Sequence, residues 1–225
     1  MDAAALKDWR KRERARLIAQ RVALSQEALK ELRIAIDAHL ETALRHWKGG
    51  IAAFCWPYQG EYDARFLMHG LRGRGVRTAL PVVVAPRQAL IFRLWRPGDD
   101  LTAGVYGIPY PVAGDAVTPD IVLVPMNGFD AGGYRLGYGG GFFDRTLAAL
   151  LEGGSTPPVV IGAAYEQARM ATVYPQPYDI PMDYVVTERG PYQRTAQGLV
   201  FPAEWTCFNA LPSTADKSGS QNDPR

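Results

Sequence analysis

The sequence predicts an α/β protein, a single domain built on a mostly parallel, Rossmann-like sheet flanked by helices and preceded by an N-terminal helical hairpin. Three observations predict it. Two long stretches of helical character open the chain, short apolar runs then alternate with segments that can be helical, and a glycine-rich turn joins one apolar run to a helix. With 225 residues and 47% hydrophobic character, the chain can bury one sizeable core, which suits one domain with extensions better than two.

Residues 4–22 read as the first helix, and Ser25 as the N-cap of a second helix that Gly49 and Gly50 would end. The apolar runs Ile51 to Trp56, Arg77 to Val84, Leu90 to Trp95, Ile121 to Pro125, Val159 to Ala164 and Tyr184 to Thr187 read as strands. Residues 61–72 and 142–152 read as helices between them. The stretch from Pro97 to Pro119 is dense in Gly, Pro and Asp and reads as a long ordered loop over the sheet edge. Residues 1–205 are expected to form the domain. Residues 206–225, which turn to Ser, Asp, Lys, Asn and Pro without apolar periodicity, are expected to be a disordered tail.

Composition narrows the function classes. A net charge of +2 provides no global field for nucleic acid or an anionic membrane, so any basic function must be local. Cys55 and Cys207 are the two cysteines, with no CxxC unit and no Cys/His cluster, so neither a disulfide framework nor a zinc site is indicated. The apolar runs fall far below the roughly 20 residues needed to span a bilayer. The N-terminus lacks the apolar core of a secretory signal, and Asp2, Asp8 and Glu13 count against a transit peptide. A cytoplasmic location is the expectation, with a monomer favoured and an oligomer left open.

The most informative stretch runs from Val122 to Asp144, where a buried-type strand leads through Phe129 and Asp130 into Gly-Tyr-Arg-Leu-Gly-Tyr-Gly-Gly-Gly-Phe-Phe-Asp-Arg, residues 133–145. Gly137, Gly139, Gly140 and Gly141 can take positive φ and approach a ligand without Cβ obstruction, so successive N–H groups can face one anion. The following helix adds its own unpaired donors. A polyphosphate is the natural guest. Arg135 would add a fixed cation, and Asp144 beside a phosphate suggests an intervening Mg²⁺. The glycine spacing matches neither the P-loop nor the dinucleotide fingerprint; the competing reading is a turn that merely lets a helix pack closely.

Lys7, Arg10, Lys11, Arg14 and Arg21 recur at helical spacings along the first helix. Such a stripe can meet a docked triphosphate, form a solvated face, or serve as a nucleic-acid patch. The near-neutral charge and the lack of interleaved aromatics disfavour the last.

The segment from Gly133 to Arg145 resembles the ATP-binding signature of the 5-formyltetrahydrofolate cyclo-ligases. Weaker matches extend the resemblance over roughly residues 7–190: Leu24-Ser25, Gly60-Glu61 opening a helix, Leu80-Pro81, Phe92-Arg93 with Trp95, Pro97-Gly98-Asp99 with Leu101, Gly107-Ile108-Pro109, Phe129-Asp130, and Asp179 with Asp183. The resemblance implies an enzyme of one-carbon metabolism, a ligase that uses ATP and Mg²⁺ to cyclise a reduced folate. It implies that Arg10, Lys11, Arg14, Arg135, Leu136, Gly137, Tyr138, Gly139, Gly140, Gly141, Phe142 and Phe143 contact ATP, that Asp144 and Asp179 hold the metal, and that Arg135 and Tyr138 act in catalysis. It places Glu61, Tyr138 and Phe142 against the substrate, with the Glu61 carboxylate suited to the paired donors of a pterin edge.

No nucleophilic side chain is required for this chemistry, and His39, His46 and His69 all fall in expected helices as structural or solvated residues. Several positions depart from the family pattern. Arg10 stands where lysine is frequent, Phe142 and Phe143 replace tyrosines, Ala64 replaces a hydroxyl residue, and Met126-Asn127 replaces a glycine-containing pair; the expected glutamine near Gln167 is shifted by one. Two further readings stay open: a relative activating a different formyl or acyl amide, which these departures would permit, and a non-catalytic nucleotide- or RNA-binding regulator that keeps the basic helix.

Overall fold

A computed structural model describes residues 1–153 and 156–203 of the chain; the tail expected at 206–225 lies outside them. Two helices come first, α1 (Ala3–Val22) and α2 (Gln26–Ala43), each opened by a side-chain cap, with Asp2 accepting from the Ala5 N–H and Ser25 from the Ala28 N–H; they pack into the two different core clusters. Then follow β1 (Ile51–Ala53), α3 (Arg65–Arg72), β2 (Arg77–Val82), β3 (Ile91–Leu94), β4 (Leu101–Ala103), β5 (Pro109–Pro111), β6 (Ala116–Val117) and β7 (Ile121–Pro125). The remainder comprises β8 (Gly128–Phe129), β9 (Arg135–Leu136), α4 (Phe142–Glu152), β10 (Val159–Ala163), β11 (Tyr184–Thr187), β12 (Gly190–Thr195) and β13 (Gly198–Val200).

Nine strands among the described residues form one sheet in the order β13-β12-β11-β10-β7-β1-β2-β3-β6. Its five central strands, β11 to β2 in that order, are parallel, and antiparallel pairs close both edges. Alternation along the strands divides the core between two faces. Ile121, Leu123 and Ile161 pack with Ile36 and Leu40 of α2 and Leu67 and Leu71 of α3. Val122, Val124 and Val160 pack with Leu17 of α1 and Leu147 of α4. Helices on both faces explain why the central strands read as continuous apolar runs.

Four details differ from the sequence reading. α2 ends at Ala43, with non-helical Leu44 as its cap, because the chain leaves the helix to bury Trp47 against the core; Gly49 and Gly50 instead take positive φ in the turn to β1, and His46 falls in the intervening turn. α3 starts at Arg65, so Glu61 precedes the helix. The stretch 97–119 is no plain loop: β4 and β5 pair as a hairpin and β6 extends the main sheet beyond β3. Pro109 and Pro111, which disguise β5 as loop, are tolerated because the hairpin is two-stranded and its outer side needs no donors.

Candidate active site

The site lies at the C-terminal ends of the parallel strands, where open α/β sheets leave a crevice. After β7, the short β8–β9 hairpin turns the chain back and delivers it to the glycine loop 137–141. Buried Asp130 organises the tip of that hairpin: its carboxylate accepts from the N–H groups of Gly132 (2.9 Å), Tyr134 (3.2 Å) and Val173 (3.0 Å). Gly141 caps α4 in the left-handed conformation, φ 64° and ψ 19°, and no side chain caps the helix. The first amides of α4 are therefore available to an anion.

Gly139 has φ 93°, and a Cβ there would lie 3.1 Å from a terminal guanidinium nitrogen of Arg14. Arg14 in turn donates through Nε to the Gly137 carbonyl at 2.6 Å, leaving its terminal nitrogens against the loop. Burial, and then neighbouring Arg10, lower the Arg14 pKa from its ordinary value. Gly137 and Gly140 do not take positive φ, so the freedom expected at all four glycines is used at Gly139 and Gly141.

A cleft of about 740 Å³ opens beside this loop, lined by Arg10, Arg14, Arg135, residues 136–145, Tyr178 and Asp179. Its volume suits a nucleotide. The structure brings together here every residue expected to contact ATP except Lys11, which is exposed and does not line the cleft. The basic stripe of α1 divides: Arg10, Arg14, Leu17 and Arg21 turn inward at spacings of four, three and four, and Lys7 and Lys11 turn to solvent. Little more than one turn of helix separates Arg10 from Arg14, so Lys11 sits about 100° round the helix from Arg10 and about 60° from Arg14.

Asp144 and Asp179 line the same cleft. Asp144 receives two hydrogen bonds from Arg135, at 3.0 and 3.1 Å, and one from the Ile180 N–H at 3.2 Å. Asp179 pairs with Arg10 at 2.6 Å and accepts from the Gln176 N–H at 2.8 Å. Arg135 thus offsets the charge of Asp144 directly, a solution that the sequence argument for an intervening metal did not include. No cluster of three His, Cys, Asp or Glu side chains occurs among the described residues. Mg²⁺ needs only one or two carboxylates beside phosphate oxygens and water, so the two cleft-lining acids are a donor set that fits it.

A second cavity of about 350 Å³ adjoins the cleft and shares Tyr138, Phe142 and Phe143 with it as a common wall. Trp56, Pro81, Leu90, Tyr106, Ile108 and Tyr110 make its lining largely apolar, and Glu61 supplies its acid. The rings of Tyr58, Tyr106 and Tyr138 stand about the junction of the two spaces, with centroids 5.8–6.2 Å apart. The β4–β5 turn contributes Tyr106, with φ 58°. Sequence reading missed Tyr58 and Tyr106 because their segments had no periodicity to mark a wall.

Glu61 is 8% exposed. One carboxylate oxygen accepts from the Tyr138 hydroxyl at 2.8 Å, the other from the Tyr58 N–H at 3.0 Å. Burial raises its pKa, opposed by Arg21 and by the two hydrogen bonds. Burial also pushes the Cys55 thiol and the Tyr138 phenol upward, with Glu61 adding to both, so neither is an activated nucleophile. The arrangement can therefore bind, orient and neutralise, and it holds no nucleophile–base pair.

The comparisons agree with this geometry. The model of the 5-formyltetrahydrofolate cyclo-ligase family matches residues 6–188. A 5-formyltetrahydrofolate cyclo-ligase of Escherichia coli K12 is 33% identical over 137 residues, covering 58% of this chain and 73% of the relative. One of Mycolicibacterium smegmatis is 29% identical over 163 residues, covering 65% and 81%. The solved 5,10-methenyltetrahydrofolate synthetase of Aquifex aeolicus superposes with a TM-score of 0.69 at 27% identity, over 86% of this chain and 96% of that one. With the family pattern running from α1 to the end of β11 on a shared fold, this chain belongs to the 5-formyltetrahydrofolate cyclo-ligase family.

Proposed function

We propose that this chain, acting as one catalytic domain over residues 1–205, uses ATP to convert 5-formyltetrahydrofolate to 5,10-methenyltetrahydrofolate, ADP and phosphate. One observation carries the reading beyond family membership. A polar cleft rich in backbone donors and arginines shares a wall with an apolar cavity holding one buried acid. A triphosphate and a flat heterocycle placed in the two spaces would meet at Tyr138 and Phe142. The formyl oxygen is a poor leaving group. In the proposed reaction it attacks the γ-phosphorus and ADP departs. N10 then adds to the activated carbon, and the C–O bond breaks to release phosphate and leave the methenyl bridge, with the N10 proton lost.

Such a transfer depends on positioning and charge neutralisation. The glycine-loop amides and the amino end of α4 would face the phosphates, with Arg14 held against Gly139 to meet them. Arg135 would stand beside the transferred group. Asp144 and Asp179 would hold Mg²⁺, which when bound neutralises phosphate charge. Glu61 would accept two hydrogen bonds from a pterin edge, since each carboxylate oxygen retains an unused lone pair. Among the described residues, no helix is long and apolar enough to cross a membrane.

Purified protein with 5-formyltetrahydrofolate, ATP and Mg²⁺ is expected to develop methenyl absorbance, which a chelator abolishes. ATP binding without that absorbance would favour a relative acting on a different formyl or acyl amide, an option that Phe142 and Phe143 on the shared wall keep concrete. Arg14→Ala is expected to raise the KM for ATP roughly tenfold or more, by loss of one charge-assisted hydrogen bond, with a smaller effect on the folate KM. Equal rises in both would assign Arg14 to packing.

A further inference from the structure

Arg21 lies three turns of α1 beyond Arg10 and outside the nucleotide cleft. It is 5% exposed, and its guanidinium is committed in three directions. Nε donates to the Gln59 carbonyl at 2.9 Å, one terminal nitrogen to Asn127 Oδ1 at 2.9 Å, and the other to the Tyr138 hydroxyl at 2.9 Å. The Tyr138 hydroxyl passes its own proton toward Glu61, which stands 4.0 Å from the guanidinium. Asn127 turns its oxygen to Arg21 although its amide nitrogen then finds no acceptor among the described residues. A buried arginine with this much directional bonding is worth more than a packing residue, because its removal leaves a carboxylate, a phenol and a carboxamide without their partner.

We propose that Arg21 is a positioning residue for the substrate acid: its buried guanidinium sets Tyr138 and Asn127, and through Tyr138 it holds Glu61 aimed into the apolar cavity. The inference rests on the proposed function for its consequence, folate recognition, and on geometry alone for its cause. Among the described residues, Arg21 is the cation facing Glu61. The other polar and titratable neighbours are Tyr138 on the glycine loop, the Tyr58 N–H, Cys55 after β1 and Tyr165 after β10. None of these can replace a positive charge.

The test uses Arg21→Met, which removes the charge, and Arg21→Lys, which keeps it but cannot bond Gln59, Asn127 and Tyr138 together. In ligand-free protein carrying ¹³C-labelled glutamate, with the Glu61 resonance assigned by its loss in Glu61→Gln, the Glu61 titration midpoint is expected to rise in Arg21→Met and to return most of the way in Arg21→Lys. An unchanged midpoint in folded Arg21→Met overturns the proposal. Should Arg21→Met not fold, Arg21→Lys decides. Its affinity for 5-formyltetrahydrofolate is expected to fall roughly tenfold, as for one lost charged hydrogen bond, with ATP affinity kept. Parallel loss of both ligands, or no change in folate affinity, overturns it. A wild-type protein that binds no folate would defeat the functional reading, while the ligand-free titration would still decide the role of Arg21.

Discussion

Gly139→Ala is expected to weaken ATP binding about a hundredfold while leaving folate affinity, measured without nucleotide, close to that of the wild type. Two effects add. At φ 93° an alanine is strained, and left-handed backbone costs an L-residue about 1–2 kcal/mol. The new Cβ would also lie 3.1 Å from the Arg14 guanidinium, so the loop or Arg14 must give by a few tenths of an ångström, enough to misalign a charged contact to phosphate. Losing the charged contact that Arg14 would make to phosphate is worth about 1.5–3 kcal/mol. The sum, about 2.5–5 kcal/mol, corresponds to between roughly sixty- and several-thousandfold; relaxation of the loop places the expectation toward the lower part of that range. Gly137→Ala makes the comparison internal. Its Cβ would meet nothing within 4 Å and its φ is not positive, so its loss should be distinctly smaller. Equal losses at the two positions, by titration calorimetry, would show that Arg14 and the left-handed backbone are not what the loop contributes.

Glu61→Gln is expected to weaken folate binding ten- to hundredfold, from about 1.5–3 kcal/mol for one buried charge-assisted hydrogen bond, with ATP affinity nearly unchanged. The amide replaces one acceptor with a donor aimed at a donor, both at the pterin edge and at the Tyr138 hydroxyl or the Tyr58 N–H that Glu61 now accepts. The effect carries a pH signature. Because burial raises the Glu61 pKa, the acid takes up its proton at a higher pH than an ordinary glutamate does. Folate affinity that needs the ionised form should therefore be full above that midpoint and decline as pH falls through it. The Gln variant should lack this decline. Titrating each ligand separately over pH checks both statements, and a pH-independent wild-type affinity would remove Glu61 from substrate recognition.

The order of elements was legible in the sequence because it depends on local physics. The cap at Ser25, the short apolar runs and the helix after the glycine loop each act within a few residues. The cleft formed around the glycine loop was legible for the same reason, since residues 135–144 are contiguous in the chain. The β4–β5 hairpin was not, because Pro109 and Pro111 mark a turn to any local reading while their pairing partners lie six and ten residues earlier.

What only the tertiary structure decided concerns partners distant in sequence. Arg10 meets Asp179 across 169 positions, and Arg21 meets Tyr138 across 117. Helical spacing placed five basic residues in one stripe, but the packing of Leu17 into the core fixed which part of α1 faces inward, and so selected Arg10, Arg14 and Arg21 over Lys7 and Lys11. Burial did the rest. A carboxylate at Glu61 is an ordinary surface acid by sequence. Folding removes it from water and sets Arg21 and Tyr138 against it, because a buried charge is stable only where the surrounding chain supplies its counter-charge and hydrogen bonds.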